Sequence, residues 1–503
     1  MIDTAALREK VLDLAIRGKL VPQDPNDEPA SVLLERIRAQ KLQMVKEGKL
    51  KAKDIKDDTI IFKGDDNCHY EKFADGTIKN IQDEIPFYLP NGWAWSKIST
   101  IAFVTKLAGF EYTKYIANSL CKEGVPLFKG KNVQDGEIIY EFESYIPIEV
   151  SNELSRSQIS RKCLLTPYVG TIGNIGIHDK EGLFHLGSNV GKIELYNEKE
   201  ILLEEYVVSY MKSTYGYKEL TKHIKATAQA SISIEAIRDV YIAIPPSNEQ
   251  IRISKQIKEI LSLIENIDKA HVDIDNLKSL IKSKILELAI QGKLVEQNEN
   301  DEPASVLLER IRAEKKAQLG KKYVESYIYK GDDNCYYENN DENPIETPFV
   351  LPKNWVFSRL FNLAWLDDGE KSKGESLPYL DAKTLRGKQA PVMINEGRII
   401  EDGTNVILVD GENSGEVFEV PYRGYMGSTF KVLRVSKHIE KDFVKIILDF
   451  YKTLFKDNKT GSAIPHLNKK IFKSLVVGLP PINEQKAFIS KVKSVIELLK
   501  DEV

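Results

Sequence analysis

The sequence predicts a protein of the α/β (α+β) class, in which two globular, mixed α/β domains are separated by long antiparallel coiled-coil helices in a cyclic pseudo-two-fold repeat. Three observations predict this architecture: a duplicated helical segment, helices with heptad-spaced apolar residues, and two unlike inserts that contain short strands. The chain has 503 residues, which is enough for several domains with separate cores.

The duplication is the strongest signal in the sequence. Residues 27–39 (DEPASVLLERIRA) recur without change as residues 301–313. Chance does not give so long an identity in register, so the segment was copied within the chain. Further pieces match in the same order: 14–21 with 288–295, 63–68 with 330–335, and 245–250 with 480–485. The stretches between residues 93 and 245 and between 355 and 480 show no obvious similarity, which indicates a duplicated frame with diverged inserts.

The connectors between the inserts are predicted to be helices. Ser247 and Gln250 form a predicted capping box after a Pro-Pro pair, and in the C-terminal copy Ile482 replaces the capping serine. Gly18 and Gly292 stand where helices are expected to stop. The apolar track after the first Pro-Pro pair repeats every seven residues, as in a coiled-coil seam: Ile260, Ile267, Ile274, Ile281 and Leu288.

The order of the repeated parts predicts how the chain is organised. The central connector is continuous, whereas its partner is split into a C-terminal and an N-terminal piece, so the two chain ends are expected to meet and complete a second connector. The predicted segments are 1–84, an N-terminal helical connector that completes the distal spacer, with a linker; 85–246, the first globular domain; 247–320, the central helical spacer; 321–481, the second globular domain; and 482–503, the C-terminal helical spacer.

Composition excludes several classes of protein. The net charge of −4 excludes a binder that relies on overall positive charge, so any contact with DNA must use local basic faces. The four cysteines include no Cys-x-x-Cys pair, which indicates neither a disulfide framework nor a clustered zinc site. The sequence shows no apolar run long enough to span a membrane and no secretory signal, so we expect a cytoplasmic protein without a membrane partner.

Motifs for catalysis and cofactor binding are not found in the sequence. No Walker A motif is present, and residues 170–176 (GTIGNIG) read as a backbone-exposing turn rather than a dinucleotide site. Asp381 and Lys383 form an Asp-x-Lys pair, which occurs often by chance, and the seven histidines show no metal-ligand spacing. We therefore expect no catalytic residue, no metal ligand and no cofactor in this chain.

One stretch of the second insert is strongly basic. Between Arg423 and Lys473 it has 12 Lys or Arg residues against four acidic residues. Such a balance predicts a face that binds phosphates. The alternative is an ordinary solvated helix near residues 445–456.

The ends of the two inserts carry the resemblance to a known family. Residues 225–233 (KATAQASIS) precede 245–250 (PPSNEQ), and residues 460–468 (TGSAIPHLN) precede 480–485 (PPINEQ). Together with the repeat, these pieces resemble the specificity subunit of type I restriction-modification enzymes, the HsdS family, over nearly the whole chain. Two features depart from that pattern: the long segment before the first insert and the unequal lengths of the inserts.

The resemblance implies a non-catalytic subunit that binds double-stranded DNA. Each insert would be a target recognition domain that reads one half of a split DNA sequence, and the connectors would set the gap and dock two modification subunits. Those partners would methylate adenine from S-adenosylmethionine, and restriction subunits would use ATP and magnesium. The chain itself would hold no cofactor. The alternatives are a duplicated protein-interaction scaffold and a stand-alone enzyme acting on DNA.

Candidate contact residues follow from loop position and residue type. Base readout uses Arg or Lys with guanine and Asn or Gln with adenine, so polar and basic residues near the Gly-rich turns and terminal loops are candidates, although loop residues without a role fit the same description. The DNA-binding candidates are Lys131, Asn132, Thr171, Asn174, Lys225, Gln229, Arg386, Lys388, Asn413, Arg423, Lys459 and His466. The partner-docking candidates, from the identical block, are Leu33, Arg36, Ile37, Leu307, Arg310 and Ile311.

Overall fold

The architecture comes from a computed structural model. It describes residues 2–56, 58–134, 136–196, 202–222, 224, 230–339, 341–458 and 466–500. The chain forms two compact units, which we call the N-terminal unit (Ile2–His271) and the C-terminal unit (Val272–Val503). None of the helices in the described ranges combines the length and apolar character that a bilayer-spanning segment needs.

The N-terminal unit begins with two helices, continues through a mixed α/β body and ends in a long helix. Its helices are α1 Thr4–Ile16, α2 Ala30–Lys46, α3 Ile98–Ile101, α4 Gly109–Glu111, α5 Ile148–Glu153, α6 Glu204–Lys212, α7 Thr214–Thr221, α8 Ile234–Arg238 and α9 Ser247–Ile290. Its strands are β1 Ile60–Lys63, β2 His69–Lys72, β3 Ile78–Asn80, β4 Ala94–Lys97, β5 Ala102–Lys106, β6 Val125–Phe128, β7 Tyr145–Ile146, β8 Gln158–Ile159, β9 Cys163–Pro167, β10 Gly176–His178, β11 Phe184–Leu186, β12 Val190–Leu195 and β13 Tyr241–Ile244.

The C-terminal unit has the same plan: the second half of α9, a further helix, a mixed α/β body and a final helix. Its further helices are α10 Ala304–Leu319, α11 Leu360–Leu363, α12 Ala382–Leu385, α13 Lys441–Phe450, α14 Lys452–Asp457, α15 Lys469–Ser474 and α16 Ile482–Lys500. Its strands are β14 Ile328–Lys330, β15 Tyr336–Glu338, β16 Asp341–Ile345, β17 Val356–Arg359, β18 Ala364–Asp367, β19 Glu370–Leu380, β20 Met393–Ile400, β21 Asn405–Leu408, β22 Val417–Glu419, β23 Gly424–Met426, β24 Phe430–Val435 and β25 Val476–Leu479.

Some sheets occur in both units and form a common frame, whereas others differ between the two inserts. Each unit has a three-stranded antiparallel sheet (β1-β2-β3 and β14-β15-β16) and a two-stranded pair next to the Pro-Pro motif (β4 with β13, β17 with β25). Each also has a four-stranded sheet, β10-β9-β12-β5 and β18-β24-β21-β22. The remaining strands form a second four-stranded sheet, β7-β6-β11-β8, in the N-terminal unit but a closed barrel, β19-β20-β23, in the C-terminal unit. The predicted mixed α/β class and the internal repeat are confirmed.

In each unit a connector segment packs with α9. In the N-terminal unit, Arg8 of α1 forms an ion pair of 2.6 Å with Asp268, near the middle of α9. Asp27, which lies beyond the end of α1, pairs with Arg252 in the first turns of α9, also at 2.6 Å. The two chain segments therefore run in opposite directions. In the C-terminal unit, Leu286 near the end of α9 and Phe488 of α16 belong to one hydrophobic core.

The division of the chain into units falls inside α9, because each half of this 44-residue helix packs on its own domain. The five segments predicted from the sequence, and the meeting of the chain ends, stay predictions.

The Pro-Pro-x-Asn-Glu-Gln motif has the same partners in both units. In the N-terminal unit the indole Nε1 of Trp93 donates a 3.0 Å hydrogen bond to Glu249, and Asn248 donates to Asp27 at 3.2 Å. In the C-terminal unit Trp355 donates to Glu484 at 2.8 Å, and Asn483 donates to Asp301 at 3.0 Å. We call each set the frame junction. The residues that the sequence repeats are therefore contact partners of one another.

The predicted capping box between Ser247 and Gln250 is not formed. Gln250 does not close a capping box: its side-chain amide donates to the carbonyl of Pro245 at 3.0 Å and accepts from the backbone N–H of Leu203 at 3.0 Å. Gln485 makes the equivalent pair of bonds, to the carbonyl of Pro480 and from the N–H of Glu440. The glutamine joins the start of the helix to the insert, a contact over a long sequence separation that local patterning does not reveal.

The glycines that end the first helix of each unit are required by close packing. Gly18 and Gly292 have φ of +64° and +69°, the left-handed region that favours glycine. A Cβ atom at either position would lie 2.5 Å from a proline ring carbon, that of Pro90 or Pro352. The predicted helix stops are therefore confirmed.

We expect the indole hydrogen bond of the frame junction to be important for stability. Replacing Trp93 with Phe would leave the buried Glu249 carboxylate without its indole donor, and we expect the free energy of unfolding to fall by about 2 kcal/mol or more. Trp95 is the matched control, because it is buried and its Nε1 has no hydrogen-bond partner within the described part of the chain. Calorimetric unfolding of Trp93→Phe and Trp95→Phe checks this, and equal losses in both variants would contradict it.

Candidate nucleic-acid interface

Two loops of the N-terminal unit bring four sequence candidates together. The short helical turn 130–132 carries Lys131 and Asn132, and the turn at 171–175 carries Thr171 and Asn174. The side-chain amide of Asn174 donates to the carbonyl of Val133 at 3.3 Å, which ties the loops to each other. Lys131 and Thr171 are exposed, so both can contact a ligand, although the Lys131 ammonium already pairs with Glu143.

Asn132 has a different environment from its neighbours. It is 3% exposed, and its amide nitrogen donates to the carbonyls of Ile139 and Glu141, both at 2.9 Å. Its oxygen accepts from the backbone N–H of Lys129 at 2.9 Å. Asn132 therefore holds the shape of the turn, and base contact by this side chain would cost these bonds. Lys225 and Gln229 lie outside the described residues.

The candidates of the C-terminal unit differ in how far their charge is already paired. Arg386 pairs with Glu416 and lies 5.6 Å from the ring centre of Phe418. Arg423 pairs with Glu375 at 2.8 Å and with Glu401 at 3.1 Å. The side chains of Lys388 and Asn413 are exposed. Lys459 lies outside the described residues. The DNA-binding candidates as a set stay predictions.

His466 stands at the edge of a large groove. Its Nδ1 lies 2.6 Å from Asp410, and the neighbouring backbone N–H of Leu467 donates to the carbonyl of Val409 at 2.8 Å. The groove beside it has a volume of about 740 Å³ and is also lined by Lys431, Lys469 and Lys470. A second cavity of about 600 Å³ shares Ser428 with it.

The second cavity adds cations that are not among the candidates predicted from the sequence. It is lined by Lys371 and Lys373 of β19 and by Arg398 of β20. Lys371 lies directly opposite Arg398 in the antiparallel register, and like charges in such a position repel each other. The alternation Lys371-Ser-Lys373, which places both lysines on one face of a strand, was the signal that could have found them.

The two cavities adjoin at Ser428, and together we call them the basic groove of the C-terminal unit. Its cations are Lys371, Lys373, Arg398, Lys431, Lys469 and Lys470, and His466 also lines it. Three acidic residues, Glu396, Asp410 and Asp368, line the groove or pair with its cations. Within the described ranges Lys371, Lys469 and Lys470 form no ion pair, and Lys373 lies opposite Glu396 in the strand register. The groove therefore carries excess positive charge suited to phosphates.

Most of the partner-docking candidates are inaccessible. Leu33 and Ile37 of α2 are 2% and 1% exposed, and Leu307 and Ile311 of α10 have the same values. All four belong to the hydrophobic core of their own unit. The identity of the repeated block at these positions is therefore explained by internal packing, and their assignment as docking contacts is corrected.

The polar members of the block are exposed. Arg36 pairs with Glu28, and Arg310 pairs with Glu302, in the same way in both units.

The potential metal ligands and the cysteines are scattered over the described part of the chain. Those residues contain no group of three or more His, Cys, Asp or Glu side chains that could hold a metal ion. The four cysteines are unpaired, and burial raises the pKa of Cys163 to about 12, so this thiol stays protonated at neutral pH.

Comparison with known proteins places this architecture in a family. The family model described as the type I restriction modification DNA specificity domain matches twice, at residues 110–274 and 352–502. The type I restriction enzyme EcoAI specificity subunit of Escherichia coli is 26% identical over 563 residues, covering 98% of this chain and 88% of that protein. The EcoEI specificity subunit of Escherichia coli is 28% identical over 411 residues, covering 70% of this chain and 61% of that protein.

A solved structure has the same fold. A chain from a study of complex assembly and conformational transition of the type I restriction-modification system aligns with a TM-score of 0.52 and 14% identity, covering 82% of this chain and 93% of that chain. The two family matches fall on the two inserts and the helices that follow them, so the repeat seen in the structure is a repeat of this domain. The protein therefore belongs to the type I restriction-modification DNA specificity family, and it carries two of the family's recognition domains.

Proposed function

We propose that this chain is the subunit that reads a bipartite DNA sequence for a type I restriction-modification enzyme, with one recognition domain for each half of the target. The observation that carries the proposal is the duplicated frame with unlike inserts. The frame junctions repeat bond for bond, whereas the strands beyond them form an open sheet in one unit and a closed barrel in the other. Different inserts on one frame suit two unlike half-sites.

The basic groove supports DNA as the ligand of the C-terminal domain. Its cations come from β19, β20, β24 and α15, which are separated in sequence but line the adjoining cavities. Binding to the DNA backbone would release counterions and make affinity fall steeply with salt. A protein-interaction scaffold, the main alternative, would have no need for uncompensated lysines along a groove of this size.

The partners proposed for this chain are two modification subunits and the restriction subunits. We place the chemistry in those partners: adenine methylation with S-adenosylmethionine in the former, and ATP- and magnesium-dependent work in the latter, in the cytoplasm. The chain itself would contribute no catalytic residue and hold no cofactor.

The outward face of the duplicated helix supports two equal docking positions. Ser31, Glu35 and Ala39 are exposed along one face of α2. The same residues, Ser305, Glu309 and Ala313, are exposed along α10. Internal packing explains the identity of the buried positions of this block but not that of the exposed ones. Two identical faces in one chain suit two copies of the same partner.

The function is tested by mapping methylated adenine across a genome. The chain is co-expressed with its modification subunit in a host that lacks other adenine methyltransferases. We expect a split motif with two unlike words and a fixed gap. A folded, assembled complex that methylates no adenine would favour the interaction scaffold.

The length of α9 leads to a prediction about the gap between the words. A deletion of residues 274–280 removes two helical turns, about 10 Å, and keeps the apolar stripe in register. We expect the gap in the methylated motif to change by about three base pairs while both words stay the same. Unchanged spacing with altered words would contradict the assignment of α9 as the spacer.

The docking faces are tested by charge reversal. We expect Glu35→Lys and Glu309→Lys each to remove one bound modification subunit, and the double variant to remove both, because an ammonium group buried in an interface without a carboxylate partner costs about 3 kcal/mol or more. Native mass spectrometry of the assembled complex counts the subunits. Glu181→Lys, an exposed charge in the first insert, is the control. Two bound subunits in the double variant would place docking elsewhere.

A further inference from the structure

One cavity occurs in both units at equivalent positions of the frame. In the N-terminal unit it is lined by Ser99, Ala102, Phe103, Val104 and Arg238. In the C-terminal unit it is lined by Phe361, Ala364, Trp365, Leu366 and Lys473. Each of these lining residues has an equivalent in the other cavity, at the same number of residues from the frame-junction tryptophan or from the Pro-Pro motif. The two cavities are therefore copies of one site. We call it the frame cavity.

A lysine of the duplicated helix donates a hydrogen bond to a residue that lines the frame cavity, in the same way in both units. Lys41 of α2 and Lys315 of α10 both stand two residues after the identical block. The Nζ of Lys41 donates to the carbonyl of Ser99 at 3.0 Å. The Nζ of Lys315 donates to the carbonyl of Phe361, the residue equivalent to Ser99. The lysine and its carbonyl acceptor are therefore the same in both copies of the repeat.

The N-terminal copy is neutralised by carboxylates of its own unit. Asp58 lies 2.5 Å from Lys41, which is only 1% exposed. Asp54 also lines this cavity and accepts two hydrogen bonds of 3.1 Å from Arg156. With these side chains in place, the remaining volume is about 40 Å³. A neighbouring cavity of about 530 Å³ shares Ser99 and Arg238 with it, but Asp75, Glu235 and Asp239 line that cavity and disfavour an anion there.

In the C-terminal copy neither of these positions supplies a carboxylate that pairs with the lysine. Lys321 stands at the position equivalent to Asp54, counted back from the matching segments 63–68 and 330–335. Glu325 stands at the position of Asp58, but it pairs with Arg312 at 3.2 Å. In the described part of this unit no carboxylate pairs with Lys315, and the cavity has a volume of about 370 Å³. An open cationic site replaces a filled and neutral one.

The cations around this open site repel one another. Burial, together with the nearby charge of Lys473, lowers the pKa of Lys315 to about 8. Lys431 and Lys469 line the same cavity, and its one acidic lining residue, Asp368, already pairs with Lys431 and Arg398. A bound anion would relieve this repulsion.

We propose that the C-terminal frame cavity binds a backbone phosphate of DNA, held by Lys315 and Lys473, and that the N-terminal frame cavity does not. This inference rests on the proposed function. The cavity shares Lys431 and Lys469 with the basic groove, which favours a phosphate within a DNA strand over a free anion. At this position of the frame the two recognition domains would therefore differ by one phosphate contact.

The test measures binding of the co-expressed complex to a duplex that carries its methylation motif. We expect Lys315→Met and Lys473→Met each to weaken binding roughly three- to tenfold at low salt, and to reduce the slope of log K against log salt by about 0.9. Lys53→Met, which removes an exposed lysine lining the N-terminal frame cavity, is the matched control and should change neither quantity. Lys473 is exposed, so its variant tests the site even if Lys315→Met fails to fold.

A phosphate scan locates the contact. Single neutral methylphosphonates are placed along the duplex, and we expect one position near the C-terminal domain's half-site to weaken the wild type but not Lys473→Met. Wild-type affinity and salt slope in both variants would overturn the phosphate site while leaving the function intact. A wild-type complex that binds no DNA would overturn both. Stabilisation by inorganic phosphate that Lys315→Met removes, with no effect of either variant on DNA binding, would assign the site to a free anion instead.

Discussion

The hydrogen bond from a buried indole to a buried glutamate at the start of the connector helix is the constraint on which both halves of this protein depend. Burial raises the pKa of Glu249 and of Glu484, so each carboxylate needs its tryptophan donor to be tolerated in the core. The bond joins the loop before the insert to the helix after it, and the adjacent Gln250 joins that helix to the insert itself. Together they fix the direction in which the helix leaves the domain.

This arrangement explains why the frame is preserved between the halves while the inserts are not. Frame residues are partners of one another, so a change in one leaves a buried polar group unsatisfied. The strands of β6, β7, β8 and β11 in one unit, and of β19, β20 and β23 in the other, have no part in the junction. They can diverge without loss of the frame, and divergence of the reading surface is what a change of DNA target requires.

The same duplication supplies an internal comparison of electrostatics. Lys41 and Lys315 share their helix position and their carbonyl anchor, yet one is paired with Asp58 and the other faces Lys473. Loss of a carboxylate partner turns a structural ion pair into a cation available for a ligand, without any change of fold. The two halves therefore share a scaffold, and they differ in function through the side chains at equivalent positions.

The sequence by itself determined the repeat, the connector helices, the helix stops at Gly18 and Gly292 and the family, because these follow from local periodicity and from matching segments. Only the tertiary structure decided which repeated residues are buried, as with Leu33 and Leu307, which polar side chain serves a turn, as with Asn132, and which cations share a groove. Those outcomes depend on contacts between residues far apart in the chain, and local patterns carry no information about such pairs.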